Sequence, residues 1–138
     1  MEQSIQNIEE EVVEEFDLFD DPMDKYEHLI DIGNKLAPLD AKYMTDDFIV
    51  KGCQSKVWLH AFTKDDRIFF EADSNSAITK GLIALLVRVL SGQKAEDIAT
   101  NPLVFIDRIN LRSHLSSQRA NGLSAMIQKM RRYAEADI

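Results

Sequence analysis

The sequence is poor in cysteine, because Cys53 is the single cysteine among 138 residues. One thiol cannot form an internal disulfide, so nothing in the chain indicates an oxidising compartment. One thiol also cannot supply the several thiolates that normally ligate an iron–sulfur cluster. The three histidines, His28, His60 and His114, lie in different predicted elements and lack the spacing of a zinc site. We therefore expect no resident metal and no cofactor on this chain.

Long hydrophobic runs and a basic N-terminus are also missing. The most apolar stretch, residues 81–90, is interrupted by Arg88 and is much shorter than the about 20 residues that a membrane helix needs. The first residues are acidic, unlike the basic start of a secretory signal or the arginine-rich start of a transit peptide. The sequence therefore predicts a cytoplasmic protein without a membrane segment, folded as one domain over residues 1–138.

Positive charge is scarce overall, and it is unevenly placed. The net charge is −8, but residues 1–47 hold 15 acidic and 3 basic residues, whereas residues 48–138 hold 9 acidic and 13 basic residues. Such a balance argues against nucleic-acid binding, which depends on concentrated lysine and arginine. The acidic half is interpreted as a solvated surface, or as one that selects a basic partner.

Apolar residues recur at helical spacing in several segments. They predict an acidic helix over about residues 4–19, a second helix from Pro22 that ends before Pro38, and a buried helix over residues 77–90. Residues 94–99 predict a short helix, Asn101 and Pro102 predict the start of another, and Ser116 or Ser117 predicts the cap of a last one. Residues 39–47 show no period and are predicted to form a loop.

Strand-forming runs occupy the middle of the chain. Residues 48–50, 56–63 and 67–72 are predicted as strands, with a hairpin connection at Lys64-Asp65-Asp66. The order of elements predicts an α+β fold in which a small three-stranded antiparallel sheet packs against helices.

The lone cysteine lies between two predicted strands, directly after Gly52 and between Lys51 and Lys56. A thiol at such a tip has access and cationic neighbours, the two conditions that thiol chemistry requires. A free cysteine usually behaves as a small buried hydrophobe. Here the loop-like Gly-Cys-Gln-Ser has no apolar neighbour on either side, so the residues alone leave both interpretations open.

A Cys-His enzyme is an alternative, and His60 and His114 are the candidate bases for Cys53. His60 lies seven residues beyond the thiol, several strand steps of about 3.3 Å each. His114 can approach the thiol only through long-range folding that the local sequence does not determine.

Three separated segments resemble one known family. Residues 52–58, GCQSKVW, resemble the GCQS-x-VW signature of the SufE-type sulfur acceptors. Residues 78–84 resemble the helix that follows the sheet in that family, and residues 115–123 resemble its LT-x-SR-x-x-GL segment, with Gln118 where serine is frequent. The likeness covers about residues 22–134 and agrees in order and spacing, which makes it far more specific than one motif.

The resemblance implies a function and a fold. A protein of this kind takes persulfide sulfur from a PLP-dependent cysteine desulfurase of the SufS type onto Cys53, stimulates that enzyme and passes the sulfur to an iron–sulfur scaffold. PLP would belong to the partner, the fold would be similar to that of IscU-type scaffolds, and the chain would be a monomer or a weak homodimer. A non-covalent desulfurase activator remains the second alternative. The implied supporting residues around Cys53 are Lys51, Gly52, Gln54, Ser55, Lys56 and Arg119.

Two expectations concern the environment of the site. We expect the free protein to shelter Cys53 in an apolar recess, which would raise the pKa of the thiol until a partner activates it. Arg119 is expected near the first turn of the last helix, where a cation opposes the helix dipole. It is interpreted either as a residue that supports the Cys53 loop or its partner, or as half of a surface salt bridge.

Overall fold

Six α-helices and one antiparallel hairpin form the part of the chain that the computed structural model describes, which is residues 3–111, 113 and 115–137. The helices are α1 (Ile5–Asp17), α2 (Pro22–Asn34), α3 (Ala77–Leu90), α4 (Ala95–Thr100), α5 (Phe105–Arg108) and α6 (Ser117–Asp137). The strands are β1 (Val57–Lys64) and β2 (Arg67–Ser74), and two 3-10 turns, Ala41–Tyr43 and Asp46–Phe48, precede them. This arrangement confirms an α+β fold.

The sheet has two strands, so the prediction of a third strand over residues 48–50 is wrong. Phe48 closes a 3-10 turn, and only Ile49 forms a bridge, with Trp58 of β1. The carbonyl oxygen of Ile49 accepts a hydrogen bond from Lys129 Nζ at 3.1 Å. Because a side chain of α6 uses this backbone acceptor, the segment serves to attach the following loop to α6 instead of extending a strand.

The hairpin itself follows the sequence prediction. Val57 pairs with Ser74 at one end and Lys64 with Arg67 at the other. Asp65 and Asp66 connect the strands with positive φ angles of 52° and 67°, which a two-residue turn of the type that matches strand twist requires.

The helix α1 lies in the predicted acidic segment, but its acidic residues are not all solvated. Glu9 is 3% exposed, and its carboxylate accepts the backbone N–H of Phe105 at 3.0 Å. Glu15 accepts hydrogen bonds from Arg88 of α3, which lowers the pKa of its carboxyl group. The interpretation as a purely solvated face is therefore wrong, because part of it joins α1 to α3 and α5 through buried or paired carboxylates.

The helix α3 occupies the centre of the fold and has the bounds that the sequence predicts. It packs against α2 and β2 and is buried over most of its length. Its Gly81 faces Leu29 of α2 so closely that an added methyl group would lie 2.4 Å from the Leu29 carbonyl oxygen. The two helix backbones therefore meet at this glycine, and the contact sets the position of α3 under the sheet.

The segment after α4 forms less helix than the sequence predicts. No helix begins at Asn101, because its side chain accepts the backbone N–H of Leu103 at 2.7 Å. Leu103 has a left-handed φ of 53°, which is incompatible with a continuing helix. Only Phe105–Arg108 is helical, and Ser116 then caps α6 by accepting the N–H of Arg119 at 3.2 Å.

One connected apolar core joins α1, α3, α6 and both strands. Within the described residues, no helix is both long and apolar enough to cross a membrane.

Candidate functional site

The loop that carries Cys53, residues 51–56, is closed at both ends by hydrogen bonds. At its base, Val50 N–H donates to the Val57 carbonyl oxygen at 2.8 Å. At its far end, Lys56 N–H donates to Asn75 Oδ1 at 3.0 Å, and its carbonyl oxygen accepts from Ser74 Oγ at 2.8 Å. Gly52 has a φ of 97°, a conformation that other residues rarely adopt. A glycine turn between two fixed ends therefore sets the direction of Cys53.

The same loop lies antiparallel along α6. The thiol of Cys53 donates to the Gly122 carbonyl oxygen at a sulfur–oxygen distance of 3.6 Å. One turn further along α6, a methyl group built on Gly52 would lie 3.3 Å from Ala125 Cβ. One more turn along, Lys129 donates to Ile49. Gly122 therefore marks a point of close packing, and the group packed against it is the candidate nucleophile itself.

A small recess of about 30 Å³ adjoins the thiol. Its volume is of the order that a single water molecule or one additional heavy atom occupies. The lining is mixed, so the expectation of a purely apolar recess is wrong. The lining residues are Cys53, Gln54, Ser55, Thr79, Leu82, Gln118, Arg119, Gly122 and Met126.

One polar group in this recess stands out. Thr79 of α3 is only 6% exposed, which makes it the least exposed of the polar side chains that line the recess. A threonine hydroxyl can donate a hydrogen bond, so Thr79 can offer a donor to whatever enters beside Cys53.

The Cys53 thiol is half-buried, in agreement with the expected shelter. Burial raises the pKa of the Cys53 thiol above the ordinary value of 9.0. Burial is the cause of this shift, and the positive charges of Lys51 and Lys56 on the same loop do not reverse it. The sulfur is therefore held as a neutral thiol at neutral pH.

The predicted supporting residues divide into two groups. Gln54, Ser55 and Arg119 line the recess, whereas Lys51 and Lys56 are exposed on the loop and do not. Arg119 forms no ion pair with a carboxylate of the described residues. The salt-bridge interpretation of Arg119 is therefore not supported in the described part of the chain.

Sequence reasoning missed the contribution of α3 and most of that of α6 to the recess. Thr79 and Leu82 are three residues apart on α3, and Gly122 and Met126 are four apart on α6. Helical spacing shows that each pair shares a face, but not that the two faces meet at Cys53.

Neither described histidine serves Cys53. His60 stacks on Tyr43 at a ring-centroid distance of 3.7 Å, and its Nδ1 lies 2.9 Å from Glu71 Oε1. His28 contacts Glu15 at 3.1 Å. Because neither ring lines the recess, both lack the geometry of a base for this thiol. The other candidate base, His114, lies outside the described residues.

Metal-ligating side chains do not cluster in the described part of the molecule. Over residues 3–111, 113 and 115–137, no three His, Cys, Asp or Glu side chains come together in a way that would hold a metal ion.

Comparison with known proteins identifies relatives of this chain. Residues 10–134 match the SufE family, described as an Fe–S metabolism associated domain. SufE-like protein 1 of Arabidopsis thaliana, chloroplastic/mitochondrial, is 40% identical over 126 residues, which are 91% of this chain and 34% of the plant protein. The chain thus spans about a third of the length of that relative.

Two bacterial relatives match over most of their own length. An uncharacterised SufE-like protein of Rhizobium meliloti is 35% identical over 131 residues, covering 91% of this chain and 94% of that protein. The sulfur acceptor protein CsdE of Escherichia coli is 33% identical over 105 residues, covering 75% of this chain and 71% of CsdE.

The fold also occurs in a solved structure. The solution structure of a hypothetical protein from Thermus thermophilus superposes with a TM-score of 0.77 at 18% identity, and 94% of each chain is covered. This likeness shows that the helices and hairpin form a known arrangement. Because the family match covers residues 10–134 and relatives are 33% to 40% identical over the aligned residues, the chain belongs to the SufE family.

Proposed function

We propose that this protein is a sulfur acceptor that takes sulfane sulfur from a cysteine desulfurase onto Cys53. The observation that carries the proposal is the half-buried thiol beside a recess with room for about one more atom. Membership of the SufE family supports it, as does the likeness to a protein named as a sulfur acceptor.

The transfer is a thiol exchange and needs no oxidant. The Cys53 thiolate attacks the outer sulfur of the desulfurase cysteine persulfide. A new sulfur–sulfur bond forms at Cys53 while the sulfur–sulfur bond of the donor breaks. The donor cysteine leaves as a thiolate, and the proton lost by Cys53 passes to solvent or to a basic group of the donor. The product is Cys53-S-SH, and PLP acts only in the donor, where the persulfide is made.

Shelter and reactivity are compatible in this scheme. In the free protein, burial keeps Cys53 protonated and poorly reactive, because the thiolate is the nucleophile. The loop contacts α6 at Gly122, where α6 presents only backbone to it, and Gly52 gives the loop a flexible point. When a donor engages the loop, it opens this contact and brings the thiol into an environment that favours the thiolate.

The recess also suits the product. Thr79 and Arg119 line it together with Gln118, so donors and a positive charge face the position next to the thiol. A persulfide is more acidic than a thiol, and an anionic terminal sulfur would be stabilised there by hydrogen bonds and charge. The next step, delivery to an iron–sulfur scaffold, is proposed because the family is associated with Fe–S metabolism. A cytoplasmic location remains a prediction.

Mass spectrometry tests the proposal. The protein is incubated with a cysteine desulfurase from the same genome and with cysteine, and then digested without reductant. We expect the mass of one additional sulfur atom on the peptide that contains Cys53, and its loss on reduction. Absence of that sulfur during desulfurase turnover would overturn the proposal.

Substitution of the thiol separates the alternatives. Cys53→Ser should still bind the desulfurase but should no longer accept sulfur or stimulate turnover. If Cys53→Ser stimulates as well as the wild type, the protein is a non-covalent activator. Turnover of a substrate by the chain alone, without a desulfurase, would instead indicate a thiol enzyme.

A further inference from the structure

A group of three cations lies beside the Cys53 loop. Lys51 is exposed next to Gly52, and Lys129 and Arg132 are three residues apart on α6, so they share a face of that helix. The pKa of Lys129 is lowered, first by burial and then by the nearby charges of Arg132 and Lys51. Lys129 also donates to the Ile49 carbonyl oxygen at 3.1 Å, two residues before Lys51 in the chain, so the three cations are neighbours in space. We call these three residues the basic ridge.

No carboxylate of the described residues neutralises the basic ridge. None of its members forms an ion pair there, and Lys129 donates to the neutral Ile49 carbonyl oxygen at 3.1 Å. Elsewhere, by contrast, Arg88 pairs with Glu15, Arg108 with Glu10 and Lys80 with Asp73. Like charges that are close and unpaired oppose folding. Such a cluster is therefore more useful for binding than for stability.

The basic ridge continues the surface around the thiol. Along α6, Gly122 contacts Cys53, Ala125 faces Gly52 and Lys129 reaches Ile49. Lys129 is seven residues after Gly122, or about 10 Å along a helix axis at ~1.5 Å per residue. An interface of ordinary size covers about 800 Å² on each partner. A protein that docks over the Cys53 loop therefore also covers these cations.

We infer that the basic ridge binds an acidic surface beside the persulfide of the sulfur donor. The inference rests on the proposed function, because a donor must approach this face to reach Cys53. Complementary charge speeds encounter and sets orientation, which suits a carrier that must meet its donor and leave again.

Charge reversal tests the inference. The variant Lys51→Glu/Arg132→Glu changes two exposed ridge residues and leaves Lys129 in its contact with Ile49. The matched control is Lys64→Glu, an exposed lysine at the far end of β1, seven strand steps from Val57, or about 23 Å at ~3.3 Å per step. The quantity measured is the acceptor concentration that gives half-maximal desulfurase stimulation, at low and at high sodium chloride.

We expect the wild type to need more acceptor at high salt, because salt screens the attraction. The double variant should need about tenfold more acceptor than the wild type at low salt, and its salt dependence should be nearly lost or reversed. Arg132→Glu alone, which leaves the loop sequence intact, should show about a threefold rise. Lys64→Glu should behave as the wild type does.

Two controls keep the outcomes distinct. Thermal unfolding should be unchanged in the double variant, which shows that the fold is intact. Persulfidation of Cys53 by a small-molecule polysulfide should be unchanged in Arg132→Glu, which leaves the loop sequence around the thiol as it is. If the wild type gains sulfur from the desulfurase but the double variant keeps the wild-type half-saturation and salt dependence, the inference is wrong and the proposed function stands. If the wild type gains no sulfur, the proposed function fails first. If the double variant loses self-association and keeps desulfurase binding, the basic ridge binds a second copy of this chain and the inference is wrong.

Discussion

Cys53 Sγ lies 3.6 Å from the carbonyl oxygen of Gly122, a residue 69 positions later in the chain. A methyl group at position 122 would lie 3.4 Å from that sulfur and 3.7 Å from Cys53 Cα. These are ordinary contact distances, so the reduced protein has room for alanine. A substitution at Gly122 can therefore reduce the space in the recess without lowering the stability of the fold.

Gly122→Ala should not destabilise the protein and should hinder sulfur acceptance. Alanine is favoured over glycine inside a helix by up to about 1 kcal/mol, so the free energy of unfolding in urea should be unchanged or slightly higher. The added methyl takes space beside Sγ, and overpacking of about 1.4 kcal/mol would lower the rate of Cys53 persulfide formation about tenfold. Equal persulfide yields and rates in both proteins would show that the recess does not hold the accepted sulfur.

Thr79→Val should shorten the lifetime of the Cys53 persulfide. Valine has nearly the shape of threonine but lacks the hydroxyl, which in Thr79 belongs to a buried side chain that lines the recess beside Cys53. Loss of one hydrogen bond to the terminal sulfur should speed release of sulfur to dithiothreitol about two- to tenfold. Thr79→Ser keeps the hydroxyl and is the matched control. If the valine and serine variants release sulfur at the same rate, the hydroxyl has no contact with the persulfide.

Alkylation of Cys53 by iodoacetamide should require a higher pH in the folded protein than in the unfolded chain, because the thiol is buried in the fold. Burial raises the pKa of the folded thiol above 9.0, so its reaction rate should rise at a higher pH than that of the urea-unfolded chain. A folded-state profile at or below that of the unfolded chain would contradict a sheltered neutral thiol.

The same shift predicts how stability depends on pH. A group whose pKa is raised by folding holds its proton more tightly in the native state. It therefore makes its full contribution to the free energy of unfolding at a pH below the pKa of the unfolded thiol. This stabilisation is lost as the pH rises through the pKa of the folded thiol. The wild type should therefore lose unfolding free energy more steeply than Cys53→Ser at alkaline pH. Tyr133, whose pKa burial also raises, is present in both proteins and cancels in the comparison.

Gly81→Ala should destabilise the fold strongly, in contrast to Gly122→Ala. A methyl group at position 81 would lie 2.4 Å from the Leu29 carbonyl oxygen and 2.8 Å from Leu29 Cγ. Backbone atoms must move to relieve such an overlap, at a cost of about 3 kcal/mol or more. Urea unfolding followed by circular dichroism gives the value, and an unchanged midpoint would show that α2 and α3 are packed less closely than these distances require.

Several elements could be predicted because their signals are local. The bounds of α3 follow from an apolar run between Ser76 and Gly92, and the starts of α2 and α6 follow from caps at Asp21 and Ser116. The predicted strand over residues 48–50 shows the limit of such signals. Short apolar runs are also compatible with turns, and here a lysine from α6 takes the backbone acceptor of Ile49.

By itself, the sequence determined most of the helices, the hairpin and the choice of Cys53 as the candidate nucleophile. Apolar periodicity, turn residues and a motif of seven consecutive residues are all local, and each can be recognised without knowledge of distant contacts. Only the tertiary structure decided that the thiol is sheltered, that Thr79 and Gly122 face it, and that Lys51, Lys129 and Arg132 form one surface. Those relationships join α3, α6 and the Cys53 loop through long-range packing. Contacts between distant segments produce no regular pattern in the sequence from which they could be predicted.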